Sequence, residues 1–361
     1  MKLLRPISVL VSCLMLTANA VAQISLTPPG AETPAASKPA AKPKEKPKSP
    51  AVAKKPPAPA ATPKPAATPA PTATVTPAPA ADDPNVDLVF GAYQRGQYKT
   101  AFDLAAKRAQ DTGDPKAMTM LGELYANAMG VKRDYAKAAD WYKRAADGGD
   151  REGMFALAML RLAGRGGPVN REEAVKLLAS SAKLGNPKAA YNLALLYLDG
   201  QTLPQDIKRA AELLRVAADA GNPEAQYALA TFYKEGTGVE KDIDKAVRLL
   251  QAASLAGNVD AEVEYAIAMF NGSGTSKNEA AAVALLRKAA RQNSPIAQNR
   301  LARVLVSGLG VPMDKMEGLK WHVVAKTAGK GDPMLDEALA DLSPEDRAKV
   351  QEAARKWLGT K

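Results

Sequence analysis

Residues 115–150 read PKAMTMLGELYANAMGVKRDYAKAADWYKRAADGGD, and this stretch decides the fold because its pattern recurs along the chain. Five units of 36 residues follow one another without slippage, and a sixth unit is two residues longer. The units meet at short polar residues, most of them followed by proline: Asp114-Pro115, Asp150-Arg151, Asn186-Pro187, Asn222-Pro223, Asn258-Val259, Ser294-Pro295 and Asp332-Pro333. A period of this length is typical of solenoids, in which each unit buries its apolar face against its neighbours.

Each unit contains two stretches with the apolar spacing of an α-helix. In the first unit these are Ala117, Leu121, Gly122 and Tyr125, then Ala138, Trp141, Tyr142, Ala145 and Ala146. The turn between them ends on Asp134, which is placed to cap the second helix. The Asp-Pro and Asn-Pro junctions supply an N-cap and then a proline at the first helical position. The sequence therefore predicts an all-α fold, an α-α superhelix of stacked antiparallel helix pairs.

The pattern A-x-x-x-L-G-x-x-Y-x-x-G-x-G-V-x-x-D-x-x-K-A-x-x-W-Y-x-x-A-A-x-x-G resembles the Sel-like repeat, a relative of the tetratricopeptide repeat. The match is fullest in the unit from Pro115 and good in the unit from Pro223. It is looser in the second and fifth units, where Arg161 and Met269 replace the tyrosine. The resemblance covers about residues 115–332 and implies six repeats: 115–150, 151–186, 187–222, 223–258, 259–294 and 295–332. It also implies a non-catalytic protein-binding scaffold, with roles such as envelope signalling or assembly.

The flanking segments are expected to cap the array. Residues 85–114 contain a half-matching helical pair around Gly96 to Ala101. Residues 333–361 contain Ser343-Pro344, a good helix start, which predicts a last helix through Trp357. Terminal repeats of solenoids are atypical because one of their faces meets water.

Residues 1–22 are typical of a secretory signal peptide. Lys2 and Arg5 precede an apolar core, and Ala20-Val21-Ala22 before Gln23 forms an A-x-A cleavage site. The sequence therefore predicts an exported bacterial protein in the periplasm or outside the cell. Two alternatives are an uncleaved membrane anchor and a lipoprotein acylated on Cys13.

Residues 23–84 form a linker that carries 17 of the 27 prolines and no aromatic residue. This composition predicts an unfolded tether biased to polyproline II. Of the net charge of +11, the signal contributes +2 and the linker +4, which leaves +5 for the remainder. The linker either contacts an anionic cell-wall polymer or serves only as a spacer. The export signal argues against a nucleic-acid partner.

Little in the sequence points to catalysis, and neither a cofactor nor a metal site is expected. Cys13, the only cysteine, lies in the signal, and His322, the only histidine, lies at a packing position of the repeat. These counts argue against multi-histidine metal sites and cysteine nucleophiles. Ser180 and Lys183 form an S-x-x-K motif, which leaves a weak alternative of a cell-wall hydrolase or a β-lactam-interacting protein. Cysteine-rich Sel-like proteins have been linked to β-lactams, but this chain lacks their cysteine pairs.

A stripe along the first helices is the candidate partner site. In related helical repeats the first helix lines the concave surface, and the inward residues are expected two before and two after the repeat's leucine. We define the first-helix stripe as these twelve residues: Thr119, Glu123, Phe155, Met159, Tyr191, Leu195, Tyr227, Thr231, Val263, Ile267, Asn299 and Arg303. Its centre is mostly apolar, and apolar patches on a surface often mark partner sites. A different interpretation is that the chain is a structural envelope linker.

Overall fold

The computed structural model describes residues 87–359, which form sixteen α-helices and no strand. Two helices precede the repeats, α1 (Leu88–Gln94) and α2 (Tyr98–Thr112). The six repeats contribute α3 (Pro115–Asn127), α4 (Tyr135–Asp147), α5 (Arg151–Ala163), α6 (Arg171–Lys183), α7 (Pro187–Asp199), α8 (Ile207–Asp219), α9 (Pro223–Glu235), α10 (Ile243–Leu255), α11 (Val259–Asn271), α12 (Glu279–Arg291), α13 (Pro295–Ser307) and α14 (Lys315–Thr327). Two helices follow, α15 (Pro333–Ala340) and α16 (Pro344–Gly359). The predicted all-α fold is confirmed, whereas the signal and linker predictions lie outside the described residues.

The helices of the repeats begin where the junction residues predict. The carboxylate of Asp114 accepts a hydrogen bond from the backbone N–H of Lys116 at 3.0 Å, and proline follows at the first helical position. Asp134 caps α4 in the same way, with 3.0 Å to the N–H of Lys137. These side chains satisfy backbone donors that a helix leaves unpaired at its N-terminus.

Consecutive helices pack against each other throughout the array, within each repeat and from one repeat to the next. Small residues occupy the crossing points, and Ala138, Ala194 and Ala217 are fully buried there. Their size lets the helix backbones approach closely, while leucines fill the space between layers. This packing sets the position of each first helix relative to the next repeat.

The two ends of the array are closed by the flanking helices. Val89, Ala105 and Ala109 of α1 and α2 join one apolar cluster with Ala117 and Leu121 of α3. At the other end α16 packs on α14, where the rings of Trp321 and Trp357 meet edge to face with centroids 5.0 Å apart. Both segments thus cover apolar surface that the first and last repeats would otherwise expose to water.

None of the helices in residues 87–359 combines the length and the apolar character needed to cross a bilayer.

Candidate functional site

The first-helix stripe runs along the first helices of six successive repeats, α3, α5, α7, α9, α11 and α13. Ten of its twelve side chains are half-buried, but Leu195 and Val263 are buried, with exposed fractions of 6% and 3%. The expectation of an exposed apolar side chain is therefore wrong at these two positions. Leu195 belongs to the central apolar cluster with Leu198 and Ala228, and Val263 is shorter than the tyrosines at the same position in other repeats.

The polar ends of the stripe are held by internal hydrogen bonds. The hydroxyl of Thr119 donates to Asp150 Oδ2 at 2.7 Å. At the far end, Asn299 Nδ2 donates to Asp332 Oδ2 at 3.4 Å, and Arg303 forms an ion pair with the same carboxylate. Asp150 and Asp332 are also N-caps of the next helices. Thr119 therefore links the first repeat to the second, and Asn299 and Arg303 link the last repeat to the helix that follows it.

Glu123 is likewise engaged within the protein. Its carboxylate accepts hydrogen bonds from the Tyr142 hydroxyl at 3.1 Å and from Asn127 Nδ2 at 2.6 Å. Burial, and then the charge of Glu123, raises the pKa of the Tyr142 phenol well above its usual range. The ends of the stripe are consequently built into the repeat packing.

The central repeats present the part of the stripe that is available to a partner. Phe155 and Tyr191 each rest one side on the central apolar cluster, and Tyr227 does the same on the next cluster. Met159 and Ile267 are also half-buried, which leaves part of each side chain open to solvent. Thr231 adds a hydroxyl that donates to the backbone carbonyl of Tyr227 at 3.2 Å. This central section is a row of aromatic and aliphatic side chains on helices that are packed within the array.

Acidic side chains that the sequence analysis missed accompany this row. Glu224 lies near Tyr191, and Glu264, Asp260 and Glu235 lie near Tyr227. Glu224 and Asp260 each lie three residues before a stripe position, and side chains three apart share one face of a helix. This three-residue spacing could have shown from the sequence that Glu224 and Asp260 lie beside the stripe.

The weak hydrolase candidate has no surrounding site. Ser180 and Lys183 are both exposed on α6, and within the described part of the chain neither side chain forms a hydrogen bond or ion pair. The neighbouring Ser181 is buried and donates to the carbonyl of Arg151 at 2.7 Å, which is a packing role. A nucleophile needs a base within hydrogen-bond reach and a group that orients that base.

His322 is fully buried in α14, as its packing position predicts. Its Nε2 lies 2.8 Å from Asp336 Oδ1, which also accepts a hydrogen bond from Lys326 at 2.7 Å. Lys326 and then His322 hold the pKa of Asp336 below its usual range. The histidine thus links α14 to α15, and sequence spacing alone did not reveal this contact.

Across residues 87–359, no three His, Cys, Asp or Glu side chains converge closely enough to hold a metal ion.

A sequence model described as the Sel1 repeat matches this chain six times, at residues 115–150, 151–186, 187–222, 223–258, 259–294 and 295–329. These units make up more than half of the chain. The chain belongs to the Sel1 repeat family. The comparison with curated proteins finds no match.

Two solved structures of Sel1 repeat proteins are similar to this one. A Sel1 repeat protein from Oxalobacter formigenes is 26% identical, with a TM-score of 0.59 over 66% of this chain and 98% of the other. A protective antigen of uropathogenic Escherichia coli strains that displays an SLR fold is 24% identical, with a TM-score of 0.52 over 74% of this chain and 67% of the other. The second likeness concerns the fold alone. Sel1 repeats commonly mediate interactions between proteins.

Proposed function

We propose that this Sel1 repeat protein is a non-catalytic scaffold that binds a protein partner at the centre of the first-helix stripe. The observation that carries the proposal is a row of half-buried side chains on the first helices of four successive repeats: Phe155, Met159, Tyr191, Tyr227 and Ile267. Aromatic and methionine side chains are enriched in protein interfaces. Aromatic rings contribute a large contact area with few rotatable bonds, and methionine adapts its shape to the surface it meets. Side chains already packed on one side lose little further freedom when a partner covers the other.

The place of action that we propose is the periplasm or the cell exterior, on the basis of the signal-peptide pattern of residues 1–22. Export would release a mature chain beginning at Gln23, which N-terminal sequencing of the protein from its native cells can check. A mature chain that retains Met1 or begins at Cys13 would support the membrane-anchored or acylated alternative instead.

Affinity capture from native cells, followed by mass spectrometry, tests the binding role. We expect the unaltered chain to capture a specific envelope or periplasmic protein and the Met159→Lys/Ile267→Lys variant to lose it. Both substitutions place a charge on half-buried side chains, so the helical circular dichroism spectrum should be unchanged. Leu195→Lys is a poor choice because Leu195 lies in the core.

The control is Leu255→Lys, which adds one lysine, where the double variant adds two, at an exposed apolar residue of α10 that lies outside the stripe. Its side chain is 83% exposed, so the substitution costs the fold little. Equal capture by all three proteins would move the interface off the stripe.

A further inference from the structure

The acidic side chains near the stripe lie in series along two neighbouring repeats. Glu224 of α9 and Asp260 of α11 occupy equivalent positions, the second residue of their helices. Glu235 and Glu264 add two more carboxylates close to Tyr227. The stripe residues of α9 and α11 thus have carboxylates beside them on the same helices.

Most of this negative charge is uncompensated. Lys234 Nζ lies 3.0 Å from Glu264 Oε2. Among residues 87–359, by contrast, Glu224, Glu235 and Asp260 form no salt bridge. Glu224, Glu235 and Asp260 are all exposed, so their carboxylates can contact a cation without first losing a partner within the protein.

The titration of nearby groups supports the presence of a negative field. Burial, and then the charge of Glu224, raises the pKa of Tyr191 to about 12. Burial followed by the charges of Glu264, Asp260 and Glu235 raises the pKa of Tyr227 still further. Burial and the charge of Glu264 also raise the pKa of Asp260. Burial is the larger cause of the raised pKa in each group, and the negative charge of the neighbouring carboxylates adds to it.

A surface that combines tyrosine side chains with unpaired carboxylates suits a linear cationic ligand. Tyrosine faces attract ammonium and guanidinium groups, and unpaired carboxylates accept charge-assisted hydrogen bonds from them. Glu224 and Asp260, two carboxylates at equivalent positions of neighbouring repeats, match cations spaced along a chain better than a single ion. Aromatic-lined grooves also receive extended polyproline II segments, which lose little entropy on binding.

We propose that the section of the stripe around Tyr191 and Tyr227, flanked by Glu224, Glu235 and Asp260, binds an extended peptide bearing lysine or arginine side chains. This inference rests on the proposed scaffold function and deepens it by stating the chemistry of the partner segment. The cations lie against the tyrosine faces and the unpaired carboxylates, and apolar residues of the peptide cover Phe155 and Met159.

Fluorescence anisotropy tests this with the full exported chain and a labelled synthetic peptide of repeating Lys-Pro-Ala triplets. We expect saturable binding that weakens as salt rises, and none to a Glu-Pro-Ala peptide. The Glu224→Gln/Asp260→Asn variant should bind the lysine peptide about tenfold more weakly, because two charge-assisted contacts are lost. Tyr227→Leu, which keeps apolar bulk without the tyrosine face, should weaken binding by roughly threefold.

The matched control is Glu240→Gln/Asp244→Asn, which removes the same charge from exposed positions in the fourth repeat outside the stripe. It should change the affinity by less than about twofold. The inference would be overturned if the lysine peptide does not bind or if the Glu-Pro-Ala peptide binds equally well. It would also be overturned if Glu240→Gln/Asp244→Asn weakens binding as much as Glu224→Gln/Asp260→Asn does.

A failure of the cationic-peptide inference can be distinguished from a failure of the scaffold proposal. If Met159→Lys/Ile267→Lys loses its captured partner while the lysine peptide does not bind, the scaffold function stands and the cationic-peptide inference falls.

Discussion

A single close contact sets the first repeat apart from the others. Gly122 lies against the ring of Tyr142, and a Cβ at position 122 would fall 2.5 Å from that ring. The equivalent pair in the second repeat is Ala158 with Leu178, and both residues are fully buried. The first repeat therefore combines glycine with tyrosine and the second combines alanine with leucine, and each pair fills the space between its two helices.

Gly122→Ala should lower the free energy of unfolding by about 2 kcal/mol, because the added methyl group overpacks this contact. The double variant Gly122→Ala/Tyr142→Leu reproduces the pair of the second repeat and should recover more than half of the loss. Urea denaturation followed by circular dichroism measures both effects. A single variant as stable as the unaltered protein would show that the ring moves aside freely.

The fifth repeat contains a buried acid that the pattern of the other repeats does not predict. Glu262 is completely buried in α11, where it forms an ion pair with Lys288 and accepts a hydrogen bond from Gln292 Nε2 at 3.1 Å. Removing one partner of a buried ion pair leaves the other charge without compensation. The resulting loss in the free energy of unfolding is larger than the stability that the intact pair contributes.

We expect Lys288→Met to lower the free energy of unfolding by about 2 kcal/mol, less than for a fully buried pair because Lys288 is half exposed. Glu262→Gln combined with Lys288→Met should restore most of that loss, since the amide can still accept from Gln292. Urea denaturation of the two variants checks this. Equal stability of both variants would contradict the view that the unpaired charge causes the loss.

At the scale of helices, the sequence predicted boundaries well and contacts between repeats poorly. Asp134 was expected to cap α4 and does so, because capping depends on a few consecutive residues. The second role of Asp150, which accepts from Thr119 across a repeat boundary, was not predicted. Such contacts depend on how neighbouring helices are aligned, and a sequence pattern within one repeat does not specify that alignment.

Asp332 gives the C-terminal cap a pH dependence. Its side chain is buried and caps α15 through the N–H of Met334 at 3.1 Å. Burial raises the pKa of Asp332, but the hydrogen bond and charge of Arg303 outweigh this and hold the pKa below its usual value. A lowered folded-state pKa contributes stability above the unfolded pKa of about 3.9 and loses it as the pH falls through the folded value.

We therefore expect Asp332→Asn to be less stable than the unaltered protein at pH 7, and the difference to shrink near pH 3. The asparagine can still cap α15, so the difference reports the ion pair with Arg303. Urea denaturation at the two pH values, monitored by tryptophan fluorescence, measures it, since Trp321 and Trp357 are in contact at this end. If the stability difference between the two proteins does not change with pH, the ion pair between Asp332 and Arg303 is not its cause.

At the scale of the whole molecule, the fold followed from periodicity and the site only in part. The repeat period predicts a solenoid because each unit needs neighbours to bury its apolar face. The same counting selected Tyr191 and Tyr227, which are half-buried, and Leu195, which the core covers. How far a stripe side chain is exposed depends on its size and on the adjacent helix, which periodicity does not specify.

The central claim is that the middle of the first-helix stripe contacts a protein partner, and photo-crosslinking in native cells tests it most directly. A benzophenone amino acid would replace Tyr227 in the full chain and, in a second protein, the exposed Leu255. We predict a covalent adduct with one specific protein from position 227, lost when Met159→Lys is added, and none from position 255. Adducts of equal yield from both positions, or an adduct from position 255 alone, would contradict the account.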